Sequence, residues 1–280
     1  MSSMMNRRQW LTLLAAGTAA ALSGCDATHP AAISGAAPNH LAKRMVAAPS
    51  SPVLPTTRVA VPLLPAPPGG PKTRLPRRAI TTLPGKGNTL ALTVDDGADA
   101  DVVGAYIKFA RDTGARFTFF VTAAYSSWTV HRDALRPLVE SGQIQLGNHT
   151  WNHPALTKLS AARVADQLER TKTFLRKTFG VDGTPFYRPP YGFRNATVDR
   201  VAAEHGYTVP TLWYGSLADS SIVTEQYLIQ MAHKYFNPQA IVIGHANHPA
   251  VTHCYNQLVD VIKQRNLSMV TLNDVTLPPV

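Results

Sequence analysis

The stretch Leu90-Ala91-Leu92-Thr93-Val94-Asp95-Asp96-Gly97 reads as a short buried strand that ends in two adjacent carboxylates and a glycine. Its first half is apolar and built from residues that suit a sheet. Its second half is turn chemistry. Two like charges side by side repel, and two arrangements relieve them. Either both face water in a solvated turn, or one carboxylate holds a cation and the other is left free as a base. What the chain places beside the pair decides between them.

Downstream, short apolar runs alternate with longer amphipathic segments. Strand-like runs stand at 90–94, 116–121, 144–146, 186–187, 208–213, 241–243 and 269–272. Helical patterns occupy 100–111, 132–141, 161–178, 195–205, 224–235 and 252–265, the third with Ser160 placed as its N-cap. Such alternation argues for parallel strands joined by crossover helices. With no Gly-rich dinucleotide fingerprint after the first strand, seven strands favour an α/β barrel over a doubly wound sheet. A barrel carries its catalytic groups at the C-terminal ends of its strands.

The chemistry-bearing residues fall at those ends. The first strand runs into Asp95-Asp96, the third into Asn148-His149-Thr150-Trp151-Asn152-His153, and the fourth into Arg188-Pro189-Pro190-Tyr191-Gly192. Asp219 follows the fifth, and the sixth ends in Gly244-His245. An H-x-x-x-H pair alone is a weak signal. On the same rim as Asp-Asp-Gly it points to an open metal site of two imidazoles and one carboxylate, His149, His153 and Asp96, with Zn2+ the default and Co2+, Mn2+, Ni2+ or Fe compatible. Asp95 is then the candidate base and His245 the candidate acid for a leaving nitrogen. Arg188, held before two prolines, is a fixed cation able to orient a neighbouring carboxylate. His248 and His253 are expected in solvent, and Cys254 as a small buried residue.

Five motifs in order now resemble the NodB-homology polysaccharide deacetylases, carbohydrate esterase family 4, over roughly residues 88–276. Thr93-Val94-Asp95-Asp96-Gly97 matches T-F-D-D-G, with Val94 in place of Phe. His149 to His153 matches H-(S/T)-x-x-H, Arg188 to Gly192 matches R-x-P-Y-G, and Ile243-Gly244-His245 stands where L-x-H is usual. The resemblance implies a distorted (β/α)7 barrel and metal-dependent hydrolysis of N-acetyl groups on GlcNAc-type sugars. It also implies Asp95 as base, Asp96, His149 and His153 as metal ligands, and Arg188 as the brace of Asp95. The Tyr191 backbone N–H would help hold the oxyanion, with His245 as acid and Asp219 its support. One motif departs: where the family often shows D-x-x-D-W, this chain has Ser216-Leu217-Ala218-Asp219-Ser220. Trp213 or Trp151 is then needed for the apolar wall of the acyl pocket.

Upstream of the domain the composition changes. The net charge is +10, yet residues 26–85 carry seven Lys/Arg against Asp26, while residues 86–280 carry eighteen against sixteen acids. A near-neutral globular part argues against nucleic-acid binding. Twelve of the 22 prolines lie in 26–85, which reads as a disordered, semi-rigid basic tether spanning 25–85 and leaves 86–280 as the catalytic domain. Residues 1–24 read as an export signal: Arg7-Arg8, an apolar run from Trp10 to Leu22, then Leu22-Ser23-Gly24-Cys25, which resembles a bacterial lipobox. Lipidated Cys25 would anchor the protein to the cell membrane, facing periplasm or exterior; Asn6 to Leu11 also resembles a twin-arginine signal.

These readings lead to one expectation: a monomeric, exported N-deacetylase of an N-acetylated envelope or extracellular glycan, peptidoglycan favoured. A hydrolase of other amides or O-acetyl esters, or an inactive glycan-binding lipoprotein, are the competing readings.

Overall fold

The computed structural model describes residues 63–280. The signal, Cys25 and the tether up to residue 62 lie outside the described residues. In chain order the elements are β1 (Thr73–Arg74), β2 (Thr89–Asp96), α1 (Ala100–Thr113), β3 (Phe117–Val121), α2 (Ser127–Val130), α3 (Arg132–Glu140), β4 (Ile144–Asn148), α4 (Ala161–Phe179) and β5 (Phe186–Tyr187). There follow α5 (Ala196–Glu204), β6 (Val209–Pro210), β7 (Gly215–Ser216), α6 (Glu225–Tyr235), β8 (Ala240–His245), α7 (Tyr255–Gln264), β9 (Ser268–Met269), α8 (Leu272–Val275) and β10 (Thr276–Leu277).

All eight residues of β2 are buried, as befits a strand covered on both faces of a parallel sheet. The helices begin and end where local chemistry directs. Asp99 caps α1 through the Asp101 and Val102 amides, and Gly114 ends it at φ 78°. Ser160 caps α4, as its sequence pattern indicates, and Thr224 caps α6. Buried aromatics join the sheet to α1 and α7: Tyr106 meets Phe119 edge-on at 6.0 Å, and Phe109 stacks on Tyr255 at 4.4 Å. Cys254 is buried there, its thiol pushed up to about 11 by burial and by Glu225, which suits packing and not nucleophilic chemistry.

The main sheet runs β6-β5-β4-β3-β2-β8-β7, with β9 also on β2, and its pairings are all parallel. It curls into the open form of a distorted (β/α) barrel. The register brings the strand ends level: Asp96 pairs with Val121, Val121 with Asn148, and Asn148 with Tyr187. Asp95 pairs with His245 on the other side. The candidate base and acid thus stand on adjacent strands of one rim.

Two features depart from the sequence reading. The fifth strand-like run, 208–213, holds only the two-residue strand β6, and β7 follows outside it at Gly215–Ser216. The larger correction concerns residues 63–85, read as tether. They are part of the domain, which therefore does not start at 86. Leu64, Leu75, Ile80 and Leu83 are buried, and β1 pairs with β10. Ile80 donates to Pro210 O at 3.0 Å and accepts from Leu212 N at 2.8 Å, while Thr82 bridges to Ala240 at the start of β8. The segment therefore bridges β6 and β8 through the backbone of Ile80 and Thr82. Below it, α8 and β10 plug the N-terminal end of the strands, where Arg116 makes two hydrogen bonds to the Asp274 carboxylate, both at 2.7 Å.

Candidate active site

Successive residues of a regular strand point to opposite faces. Asp95 and Asp96 nevertheless serve one site, because Asp96 leaves the strand with φ 73°. The left-handed backbone is costly for a residue with a Cβ. Neighbours hold it: the Asp96 carbonyl accepts from Thr122 N and from Trp128 Nε1, both at 3.2 Å. Gly97 follows at φ 96°, and a side chain there would collide with the Trp128 ring. The result is that Asp95 Oδ2 and Asp96 Oδ1 lie 3.5 and 3.6 Å from the same atom, His149 Nε2.

The His149–His153 loop is not a helical turn. Thr150 and His153 both have positive φ, 73° and 60°. The loop is pinned by side chains: Asn148 Oδ1 takes the Thr150 amide, Thr150 Oγ1 the His153 amide, and Gln167 Oε1 from α4 the Trp151 and Asn152 amides. His153 Nε2 is thereby set 3.5 Å from Asp96 Oδ1. His149 Nδ1 lies 2.7 Å from the Arg188 carbonyl, which requires a proton on Nδ1 and leaves the Nε2 lone pair facing the carboxylates.

Arg188 is fully buried and almost fully used. Nη1 donates to Asp95 Oδ1 (2.6 Å) and to Thr93 Oγ1 (2.8 Å), Nε to Thr211 O (2.8 Å) and Nη2 to Leu212 O (3.1 Å). Its guanidinium lies 4.2 Å over the Phe120 ring. Burial works against its charge and the Asp95 carboxylate supports it. The Thr of the strand motif therefore has a task of its own, since Thr93 accepts from Arg188 and donates to Val242 O.

On the far side, His245 Nδ1 lies 3.0 Å from Asp219 Oδ1, and Asp219 Oδ2 accepts the His245 amide at 3.1 Å. Burial disfavours the imidazolium. The Asp219 hydrogen bond and the fields of Asp95, Asp219 and Asp96 outweigh it, so the pKa rises above the ordinary histidine value. With Nδ1 committed to Asp219, Nε2 is the position from which a proton can be given.

These groups converge on a cavity of about 490 Å³, lined by Asp95, Asp96, His149, His153 and His245 together with Tyr191, Trp213, Ser216 and Ser220. Trp213 supplies the apolar wall there. Trp151 does not: it lies under the Arg170 guanidinium at 4.2 Å, against α4. His253 is exposed and paired with Glu225. Three contributors carried no sequence signal. Tyr125 lines the cavity, Thr122 Oγ1 donates to Asp96 Oδ1 at 3.2 Å, and Asn247 donates to Asp96 Oδ2 at 2.8 Å.

The donor set suits a divalent metal. Asp96, His149 and His153 offer one ligand atom each, all within 4.8 Å of one another. Burial pushes the Asp96 carboxyl up, but His149, His153 and the Asn247 amide bring it below its usual value. Burial and neighbouring His149 lower the His153 pKa. An ionised carboxylate beside a neutral imidazole is the protonation state a metal requires.

A parallel α/β barrel with an Asp–His–His cluster, an Arg-braced carboxylate and an Asp-supported histidine on one rim defines a class of metal-hydrolase-type site. The family described as polysaccharide deacetylase matches residues 82–210 of this chain, the span that holds Asp95, Asp96, His149, His153 and Arg188. A chitin deacetylase of Arthroderma benhamiae is 26% identical over 205 residues, 66% of this chain and 51% of that protein. The peptidoglycan-N-acetylglucosamine deacetylase PgdA of Listeria monocytogenes is 28% identical over 191 residues, 66% of this chain and 38% of its own length. The chain thus spans less than two thirds of either. A carbohydrate esterase family 4 pseudoenzyme from Bacillus anthracis shares the fold, with a TM-score of 0.64, 17% identity and coverage of 74% of this chain and 72% of that one.

Proposed function

We propose that the protein is a metal-dependent N-deacetylase that hydrolyses the N-acetyl groups of GlcNAc units in an envelope or extracellular polysaccharide, releasing acetate. The observation that carries this reading is the meeting of three devices in one cavity: the Asp96–His149–His153 cluster, the Arg188-braced Asp95 and the Asp219-supported His245. Peptidoglycan is the favoured substrate, Zn2+ the favoured metal, and membrane attachment through Cys25 the favoured location.

Bound at Asp96, His149 and His153, a divalent cation supplies Lewis-acid activation of a water and of the acyl carbonyl. Asp95 Oδ2 faces that cluster, while Oδ1 is held by Arg188, so Oδ2 is the oxygen that takes the water's proton. The Tyr191 backbone N–H serves the oxyanion, a role carried over from the family motif. His245 Nε2 gives its proton to the departing amine, and Asp219 steadies the imidazolium before that step. Trp213 and Ile243 offer the acyl methyl an apolar wall.

The wall is open at Ser216 and Ser220, which favours a second substrate range on the same machinery: larger amides or O-acetyl esters. The test is acetate release by the Zn2+-loaded full chain from peptidoglycan, chitin oligomers, β-1,6-linked GlcNAc and acetylxylan. Release from an N-acetylated glycan supports the proposal. Release from acetylxylan alone transfers it to the ester reading. No release from any of them leaves an inactive glycan-binding protein and ends the deacetylase reading.

A further inference from the structure

Asn247 lies two residues past His245, in the loop that follows β8. Its Nδ2 donates to Asp96 Oδ2 at 2.8 Å, and its Oδ1 accepts the Ala98 amide at 3.2 Å. The other Asp96 oxygen, Oδ1, is the one that faces His149 Nε2 and His153 Nε2 at 3.6 and 3.5 Å. The two oxygens of this carboxylate therefore have different partners. The Asn247 amide claims one; the other accepts from Thr122 Oγ1 at 3.2 Å and is presented to the imidazoles.

We propose that Asn247 is a positioning residue for the metal, acting through Asp96. It fixes the carboxylate so that a single oxygen is offered to the ligand cluster, and it ties the acid strand β8 to the turn that carries both aspartates. The inference rests on the metal reading of the site. The residue type supports it. Capping the Ala98 amide needs only an acceptor, which Asp would also provide. Only a side chain with both an acceptor and a neutral donor can cap that amide and hold Asp96. A lysine would pair with Asp96 and compete with the metal, and an acid would repel the carboxylate. Thr122 Oγ1 holds Asp96 Oδ1 at 3.2 Å, and Asn247 holds Oδ2 at 2.8 Å, so the amide fixes the oxygen that Thr122 does not reach. Outer partners of this kind typically account for about 10- to 100-fold in metal affinity.

The experiment measures Zn2+ affinity by competition with a chromogenic chelator, in the absence of glycan, for the full chain and for Asn247→Ala and Asn247→Leu. The melting temperature of each metal-free protein is recorded alongside. Both variants are expected to bind Zn2+ about 10- to 100-fold more weakly, with metal-free melting close to wild type; the leucine keeps the branched four-atom side chain of asparagine without its donor and acceptor. Wild-type affinity in both variants, with or without a lowered melting temperature, overturns the proposal and leaves Asn247 as a cap of Ala98. Should neither variant fold, the side-chain amide resonance of Asn247 in 15N-labelled wild type decides: a shift with added Zn2+ and slow exchange support the proposal, and an unchanged, freely exchanging amide overturns it. If wild type itself binds no Zn2+, the metal reading falls and takes this inference with it, an outcome distinct from failure of the variants alone.

Discussion

On one side of the cavity, Asp96 ends β2 and His149 and His153 follow β4, strands of eight and five residues buried along their whole length. On the other, Trp213, Ser216 and Ser220 hang from β6 and β7, of two residues each. The first side is braced by long ladders and by caps from Asn148, Thr150, Gln167 and Asn247. The second has little backbone pairing to hold it. A reaction that depends on atoms within a few tenths of an ångström belongs on long paired strands. Choice among substrates belongs on short segments that can change without disturbing the ladder. The proposed ligand, base and acid residues sit in motifs that resemble those of the polysaccharide deacetylases, while the departures Ser216 and Ser220 fall on the thinly paired side.

Four substitutions test that contrast, beginning with the largest effect. His149→Ala removes a ligand from the rigid side, and Zn2+ binding and acetate release should both be lost, the latter by roughly 10³-fold or more; metal analysis and acetate assay read it, and retained metal would break the assignment. Arg188 joins the two sides, gripping Asp95 on one and the Thr211 and Leu212 carbonyls on the other. Arg188→Met leaves Asp95 buried without its partner, and denaturant unfolding should show a loss of about 3–5 kcal/mol. A loss under about 1 kcal/mol would mean that the sides stand independently.

Asp219→Asn should lower kcat by about 10²-fold and move the descending limb of the pH profile to lower pH. The sign follows from His245. Its raised pKa keeps Nε2 protonated as pH rises through the ordinary histidine range, and activity falls once pH passes the raised value. Removing the Asp219 charge lowers that value, so the fall comes earlier. The same group contributes stability that is complete below the ordinary histidine value and lost as pH rises through the raised one. An unshifted limb in the variant would remove His245 as the acid. The smallest effect belongs to the thinly paired side: Ser220→Trp should alter the preference for acetyl over propionyl substrates by no more than about tenfold while leaving Zn2+ affinity unchanged. A loss of metal there would deny the separation of the two sides.

The rigid side was also the more legible in the sequence. Asp95, Asp96, His149, His153, Arg188 and His245 sit in short motifs at strand ends, so pattern and spacing expose them together. The helices were legible from their period and from caps such as Ser160. Asn247 was not, because its partner Asp96 is 151 residues away and a loop asparagine has many uses. The strap at 63–85 was hidden for a related reason. Its prolines erase any helical or alternating period, and Leu64, Leu75, Ile80 and Leu83 show their purpose only when the fold that buries them exists. Trp213 and Trp151 looked equivalent as candidate walls, since nothing local distinguishes a tryptophan that lines a cavity from one that lies under an arginine.

The division of labour between the adjacent aspartates is the centre of this account, and Asp95→Asn tests it most directly. Zn2+ affinity and acetate release are measured on the same preparation. The account predicts Zn2+ affinity within a few-fold of wild type, because Asp96, His149 and His153 are untouched, and a fall in acetate release of roughly 10³-fold or more, because the proton acceptor is gone. Loss of metal from Asp95→Asn to the extent seen in His149→Ala, or near-normal acetate release, would contradict it.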